Sequence, residues 1–162
     1  MFVLTKNIFL YDIINLLKKI FITGGFMKIF IISSAAFYDK IKPIREYLES
    51  KGFELLMPNT YDSPNLVKLA WEEGYEAHAK LVQKLFKMSE EKIKNVDAIL
   101  CINFEKNNIE NYIGGATFIE IYEAFKNNKK IYLYHDIPKG MLYDELASFE
   151  PIVINENLDL IK

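Results

Sequence analysis

The stretch of the chain from residue 96 to residue 125 (VDAILCINFEKNNIENYIGGATFIEIYEAF) contains the residues best suited to chemistry. It reads as a buried strand, a polar loop, and a glycine pair, Gly114 and Gly115, that opens a helix. One carboxylate, Glu120, falls in the first turns of that helix. Ligands of open α/β sheets bind at the carboxyl ends of the strands, where such loops gather. Glu120 could therefore act as a nucleophile or as a general acid or base.

A purely structural role for Glu120 is the alternative. Thr117-x-x-Glu120 before an apolar run matches a capping box, in which the glutamate accepts a hydrogen bond from the Thr117 backbone N–H. Capping stabilises the anion and lowers its pKa, whereas desolvation at a catalytic site raises the pKa. The two hypotheses therefore predict opposite pKa shifts.

Backbone groups at the start of the same helix are candidates for binding a substrate. Gly114, Gly115 and Thr117 could present N–H groups to an anion. The alternative is that the glycines only allow a tight turn. Because the sequence contains neither G-x-G-x-x-G nor G-x-x-x-x-G-K-[ST], it has no dinucleotide fingerprint or P-loop, and we expect no cofactor.

Alternating strands and helices must position these residues. Continuous apolar, β-rich runs predict strands at 28–33, 53–57, 98–102, 130–134 and 151–154. Such alternation predicts a flavodoxin-like three-layer α/β sandwich with a five-stranded parallel sheet in the order 2-1-3-4-5. The loops after Ser33 and Ile102 then face one crevice, which adds Ser33, Ser34, Phe37 and Asn103 to the candidate site.

The helical pattern carries several further expectations. Pro43 suits the first turn of the first helix, which Gly52 closes. Residues 66–95 look helical in two pieces, the second beginning at Ser89. Trp71, Tyr75 and Phe86 are expected in the core or in a subunit interface. His78 is expected to have an ordinary surface or packing role.

The overall composition excludes several classes of protein. The net charge is −2 with no basic face, so we expect no nucleic-acid partner. A single cysteine, Cys101, excludes a disulfide framework and favours a reducing, cytoplasmic location. Two histidines are too few for a histidine-rich metal cluster, so we expect no metal. No apolar run reaches the roughly 18 residues of a membrane span.

The first 26 residues form an apolar, lysine-interrupted extension without a signal-peptide cleavage site. The codons for Gly24 and Gly25 can spell a ribosome-binding sequence just upstream of Met27, where a first strand begins. We therefore divide the chain into an extension, 1–26, and a domain, 27–162, and our hypothesis is that translation starts at Met27. The alternative is an amphipathic helix that packs on the domain or on a neighbouring subunit.

Three segments carry a resemblance to a known family: VDAIL at 96–100, IGGATFIE at 113–120 and KKIYL at 129–133. Together they resemble the nucleoside 2-deoxyribosyltransferase-like superfamily, whose members have a flavodoxin-like sheet. The resemblance implies that Glu120 is the nucleophile that attacks the anomeric carbon of the sugar. It also implies that the loop from Ser33 to Phe37 lines the pocket for base and sugar.

The sequence departs from the family at two positions. Asn103 stands near the place of an acid that helps to protonate the base, and an amide has no titrating proton to donate. Glu105 or Asp136 could replace that acid. Tyr122 stands where the family usually has a small residue, so it is expected to narrow the crevice.

The expected function is cleavage of an N-glycosidic bond of a nucleoside or nucleotide by a hydrolase or transferase with a carboxylate nucleophile. Hydrolysis is favoured over base exchange, because it needs only water as the acceptor. The alternative is a non-catalytic module that binds a nucleotide-like ligand. The expected partner is this small molecule. We also expect the protein to form a homo-oligomer and to bind neither a membrane nor a nucleic acid.

Overall fold

The computed structural model describes residues 27–162, which form an α/β domain around one parallel sheet. The strands are β1 (Lys28–Ser33), β2 (Glu54–Leu56), β3 (Ala98–Ile102), β4 (Lys130–Leu133) and β5 (Ile152–Val153). Their order is β2-β1-β3-β4-β5, and every pair is parallel. This confirms the flavodoxin-like sheet. The predicted extension, 1–26, and its alternative interpretations lie outside the described residues.

The helices of the domain cover both faces of the sheet. They are α1 (Tyr38–Ser50), α2 (Leu66–Glu73), α3 (Tyr75–Lys94), α4 (Gly115–Lys126) and α5 (Tyr143–Ser148). Alternate residues of β1 and β3 enter two separate apolar clusters, one on each face. All five residues of β3 are buried, as expected for a central strand covered on both sides.

Two helical expectations are wrong. Pro43 lies inside α1, because the helix begins more than a turn earlier at Tyr38, directly after the 3-10 turn Ala35–Phe37. The break between α2 and α3 falls at Gly74, whose φ of 126° and ψ of 171° end one helix and start the next. This conformation is open almost only to glycine, so the backbone fixes the position of the break.

The switch point of the sheet places the candidate loops side by side. The chain leaves β1 and β3, which are direct neighbours, toward opposite faces, and Ser33 pairs with Ile102 at their carboxyl ends. A crevice opens at such a point in doubly wound sheets. None of the helices within the described range combines the length and apolar character that a bilayer span requires.

Candidate functional site

A cavity of about 460 Å³ lies at the carboxyl ends of β1 and β2, between α3 and the start of α4. This volume is in the range of small-molecule sites. Its walls comprise the loops after β1 and β2, one face of α3 and the first turns of α4. The lining includes Ser33, Ser34, Tyr38, Asn59, Thr60, His78, Val82, Leu85, Phe86, Ser89, Tyr112, Gly114, Gly115, Thr117 and Glu120.

Glu120 is directed into this cavity and does not cap its own helix. The helix begins at Gly115 with Gly114 at the N-cap position, so Thr117 is already the third helical residue. The hydrogen bond found at the Glu120 carboxylate comes from another helix, where the Ser89 hydroxyl donates to Oε1 at 2.5 Å. The capping-box interpretation is therefore wrong.

The environment of Glu120 favours its protonated form. The carboxylate is packed on most sides yet keeps partial exposure through the cavity. Desolvation raises its pKa to about 7, while the Ser89 hydrogen bond and the positive charge of Lys92 act in the opposite direction. The direction of the shift is the one expected for a desolvated reactive carboxylate. A substantial fraction of Glu120 is still ionised at neutral pH.

The charge of Glu120 also affects its neighbours. Burial raises the pKa of the Tyr38 hydroxyl, the hydrogen bond with Thr60 lowers it, and the nearby Glu120 charge raises it further. Burial lowers the pKa of Lys92, although Glu120 partly counteracts this. Lys92 donates to the Met57 carbonyl at 2.8 Å. Within residues 27–162, Lys92 is thus the partly buried cation whose charge acts on Glu120, and no ion pair joins the two side chains.

A chain of hydrogen bonds holds Ser89 against Glu120. The amide nitrogen of Asn59 donates to Ser89 Oγ at 2.8 Å and to the Leu85 carbonyl at 3.0 Å. Because the Leu85 carbonyl can only accept, it fixes the amide orientation of Asn59. Ser89 Oγ therefore accepts from Asn59 and is left to donate its proton to Glu120.

Polar groups at the end of β1 and in the loop after it also line the cavity. Ser33 Oγ donates to the Ser34 carbonyl at 2.8 Å, and Lys106 Nζ donates to Ser34 Oγ at 3.1 Å. At the start of α4, a Cβ at Gly115 would meet no heavy atom within 4 Å, so its backbone is open to a ligand. A Cβ at Gly114 would lie 3.1 Å from the Tyr112 hydroxyl.

Three of the residues singled out from the sequence do not line this cavity. Asn103 is completely buried, where its Oδ1 accepts from the His135 N–H at 2.8 Å and its Nδ2 donates to the Asp136 carbonyl at 3.0 Å. Phe37 is a core residue that packs edge-on against Phe104. Tyr122 is about half exposed and lies 6.0 Å, ring to ring, from Phe149.

The expectations that Phe37 belongs to the site and that Tyr122 narrows the crevice are therefore wrong. Helix periodicity puts Tyr122 two residues beyond Glu120 and so on a different side of α4. The apolar wall comes instead from Val82, Leu85 and Phe86 on α3. The suggested substitute acids, Glu105 and Asp136, are exposed and also lie outside the cavity wall.

The sequence interpretation missed the contribution of α3. His78, Val82, Leu85 and Ser89 recur at helical spacing and face the cavity together. The sequence contains this mixed polar and apolar stripe, but its local pattern predicts the start of a second helix at Ser89, whereas Ser89 lies inside α3. His78 also stacks on the half-exposed Trp71, with ring centroids 3.8 Å apart.

The two aromatic residues at the α2–α3 junction are not core residues. Trp71 is 53% exposed and Tyr75 is 76% exposed, whereas Phe86 lines the cavity. Residues 27–162 contain no group of three or more His, Cys, Asp or Glu side chains placed to hold a metal ion.

The fold and the cavity together define an α/β protein of the flavodoxin-like class with a ligand-sized crevice at its switch point. Comparison with known proteins finds no matching family model, no similar curated protein and no similar solved structure.

Proposed function

We propose that the protein breaks the N-glycosidic bond of a nucleoside or nucleotide, with Glu120 as the nucleophile. The observation that carries the proposal is a partly accessible, desolvated carboxylate at the sheet's switch point, held by a side chain of another helix and not by a cap. The resemblance of 113–120 to the nucleoside 2-deoxyribosyltransferase-like superfamily supports the same assignment.

The chemistry requires two displacements at one carbon. The oxygen of Glu120 that is not bonded to Ser89 attacks the anomeric carbon, and the bond from that carbon to the base nitrogen breaks with its electron pair leaving on the base. Water then attacks the same carbon, and the bond from that carbon to the Glu120 oxygen breaks, which restores the carboxylate. The proton that the water gives up replaces the one delivered to the leaving base. Because only water is needed as the second acceptor, hydrolysis is the favoured outcome.

The walls of the cavity suit the two halves of such a substrate. Ser33, Ser34 and the open backbone at Gly115 would hold the sugar or its phosphate, with Lys106 adding a positive charge beside Ser34. The apolar face of α3 would lie against the base. Glu120 is the sole carboxylate in the described cavity wall, so His78, a tyrosine hydroxyl or water must supply the proton to the leaving base.

Replacement of Glu120 by glutamine tests the proposal. Glu120→Gln keeps the side-chain shape and the hydrogen bond from Ser89 but removes the nucleophile, so release of free base should fall at least about a thousandfold. Chromatography of free base from a panel of nucleosides and nucleotides measures this. Glu123→Gln is the matched control, because Glu123 lies one turn later on α4, pairs with Lys126 and is not part of the cavity wall. Equal base release by Glu120→Gln and the unmodified protein would refute the assignment.

The second candidate is a non-catalytic module that binds a nucleotide-like ligand in the same cavity. The observation that favours it is the absence of a second carboxylate from the described cavity wall. Binding raises the unfolding temperature whether or not a bond is broken. A thermal shift with a nucleotide but no free base after prolonged incubation would therefore favour this candidate.

We also propose that the protein assembles with copies of itself. Exposed aromatic residues are enriched in subunit interfaces, and Trp71 and Tyr75 project from the α2–α3 junction. Sedimentation of the full chain and of a Trp71→Ser variant would test this: a monomeric full chain contradicts it.

A further inference from the structure

Glu120 and the side chains that hold it connect three elements of the fold through hydrogen bonds. Asn59 lies on the loop after β2, Ser89 on α3 and Glu120 on α4. Ser89 is 4% exposed and Asn59 Oδ1 is buried, so water has little opportunity to replace the hydroxyl or the amide. The hydrogen bond from Ser89 to Glu120 measures 2.5 Å, a length typical of a hydroxyl bound to a charged oxygen.

We propose that Ser89, oriented by Asn59, is a positioning residue that fixes one oxygen of Glu120, stabilises the carboxylate anion and leaves the other oxygen free to attack. This inference rests on the proposed function for its catalytic consequence. Its structural part, the control of Glu120 ionisation by Ser89, is independent of which substrate the cavity takes.

The direction of the hydrogen bonds carries the inference. The Leu85 carbonyl requires an N–H donor, which fixes the amide nitrogen of Asn59 on the side of Ser89. Since that nitrogen also donates to Ser89 Oγ, the hydroxyl proton is directed to Glu120. A donor to the carboxylate favours its charged form, in agreement with the lowering effect of Ser89 on the Glu120 pKa.

The other titratable groups around Glu120 come from every neighbouring element. Lys92 of α3 lowers the pKa of Glu120. The charge of Glu120 in turn raises the pKa of Tyr38 on α1 and the pKa of Cys101 on β3. His78 and Tyr112 line the same cavity. Of these groups and Ser89, only Ser89 makes a hydrogen bond to Glu120 among the described residues, so its removal should alter Glu120 without displacing another ligand of the carboxylate.

Titration of Glu120 by ¹³C NMR tests the proposal without any assay of activity. The protein is labelled at the glutamate side-chain carboxyl carbons, and Glu120→Gln identifies the resonance of Glu120. In Ser89→Ala the midpoint should rise by about one pH unit or more, because a hydrogen bond to a charged group is lost. Ser89→Thr keeps the hydroxyl and should restore most of the shift.

Two further variants provide a control for this test and a substitute for Ser89→Ala. Ser50→Ala removes another helical serine hydroxyl, which donates to the Tyr47 carbonyl away from the cavity, and should leave the midpoint unchanged. If Ser89→Ala does not fold, Asn59→Ala frees Ser89 from its orientation and should raise the midpoint in the same direction by a smaller amount.

The catalytic part is read from the pH dependence of kcat/KM. The acid limb should move upward in Ser89→Ala by the same amount as the NMR midpoint, and Ser89→Thr should return it. An unchanged midpoint in Ser89→Ala, or an equal shift in Ser50→Ala, overturns the positioning role. Absence of base release from the unmodified protein instead contradicts the proposed function, while the NMR result still decides the role of Ser89 in ionisation.

Discussion

The carboxylate of Glu120 lies in a cavity wall that removes most of its water, so its ionisation at neutral pH opposes folding. In the unfolded chain the group ionises near 4.5, and in the folded protein near 7. Between these values the unfolded state loses its proton first, so stability falls as the pH rises through this window. Above about pH 7 the stability that the protonated carboxyl group contributes is fully lost. An ordinary structural carboxylate avoids this cost.

Replacement of Glu120 by glutamine should therefore stabilise the protein at alkaline pH. At pH 8 we expect Glu120→Gln to raise the free energy of unfolding by about 2 to 3 kcal/mol, with allowance for the residual exposure of the group. At pH 4 both states are protonated and the difference should be small. Urea unfolding at the two pH values measures the effect. The test compares the gain in unfolding free energy of Glu120→Gln over the unmodified protein at the two pH values. A gain at pH 8 that is no larger than the gain at pH 4 would contradict a raised Glu120 pKa.

Asn103 illustrates a residue whose type was informative but whose role was not evident from the sequence. Its side chain joins the loop after β3 to the loop after β4 through the backbone of His135 and Asp136. Position along the chain indicated that Asn103 ends a strand at the correct edge of the sheet. It could not indicate that the amide turns away from the cavity, because that depends on the path of the neighbouring loop.

Substitution of Asn103 should affect stability more than chemistry. Asn103→Ala leaves the His135 N–H and the His135 and Asp136 carbonyls without this side-chain partner, so we expect a loss of about 2 to 3 kcal/mol in urea unfolding. Asn103→Asp places a carboxylate against two or more carbonyl oxygens and should be worse. The control is Asn95→Ala, which removes one exposed hydrogen bond from the Asn95 side-chain amide to the Glu91 carbonyl. A gain in base release by Asn103→Asp would show instead that this position can supply the missing acid.

At the scale of elements, Gly74 separates two helices that would otherwise be one. Residues with a side chain rarely adopt the φ and ψ angles of Gly74. A Cβ at this position would nevertheless meet no neighbouring atom within 4 Å. We expect Gly74→Ala to lose about 1 to 3 kcal/mol through backbone strain alone. Thermal unfolding measures this change. An unaltered unfolding temperature would show that α2 and α3 can change their junction without cost.

Gly115 provides the matched comparison, since a methyl group there is equally free of clashes. It begins α4, where alanine is a better helix former than glycine, so Gly115→Ala should be neutral or stabilising by up to about 0.5 kcal/mol. Because Gly115 lines the cavity, its methyl group should nevertheless weaken binding of a nucleotide. Tight binding by the variant would indicate that the ligand does not approach this backbone.

The elements were more predictable from the sequence than the site. Short apolar runs such as KIFIIS and AILCI predict buried strands, and the structure has strands there. The alternation of strands with helices then leaves few possible orders of the strands in the sheet. The cavity wall is different, because Ser89, Asn59 and Glu120 are distant in sequence and meet only when α3 packs on α4. The apolar stripe of α3 was visible, whereas the polar positions within it carried no local signal of their partners.

At the scale of the whole molecule, the two faces of the sheet have different chemical surroundings. On one face β1 and β3 pack under α1, and on the other Cys101 lies in the cluster that includes Phe30, Ile93 and Ile121. Burial and the nearby Glu120 charge raise the pKa of the Cys101 thiol above its ordinary value. A thiol in this state is unreactive, so Cys101 reports the opening of the whole sheet.

The reaction of Cys101 with a thiol reagent should therefore follow the global stability and its dependence on Glu120. In the native protein at pH 8, labelling occurs only through unfolding, because the thiol is completely buried in the central strand. If Glu120→Gln stabilises the fold by about 2 to 3 kcal/mol, labelling should slow by roughly 30- to 150-fold when refolding is faster than reaction with the reagent. Glu123→Gln loses the ion pair with Lys126, while its amide oxygen can still accept from Asn127, so the rate should change by a few fold at most. Fast labelling that is indifferent to Glu120 would mean that β3 is exposed by a local motion, which its position between two fully paired neighbours opposes.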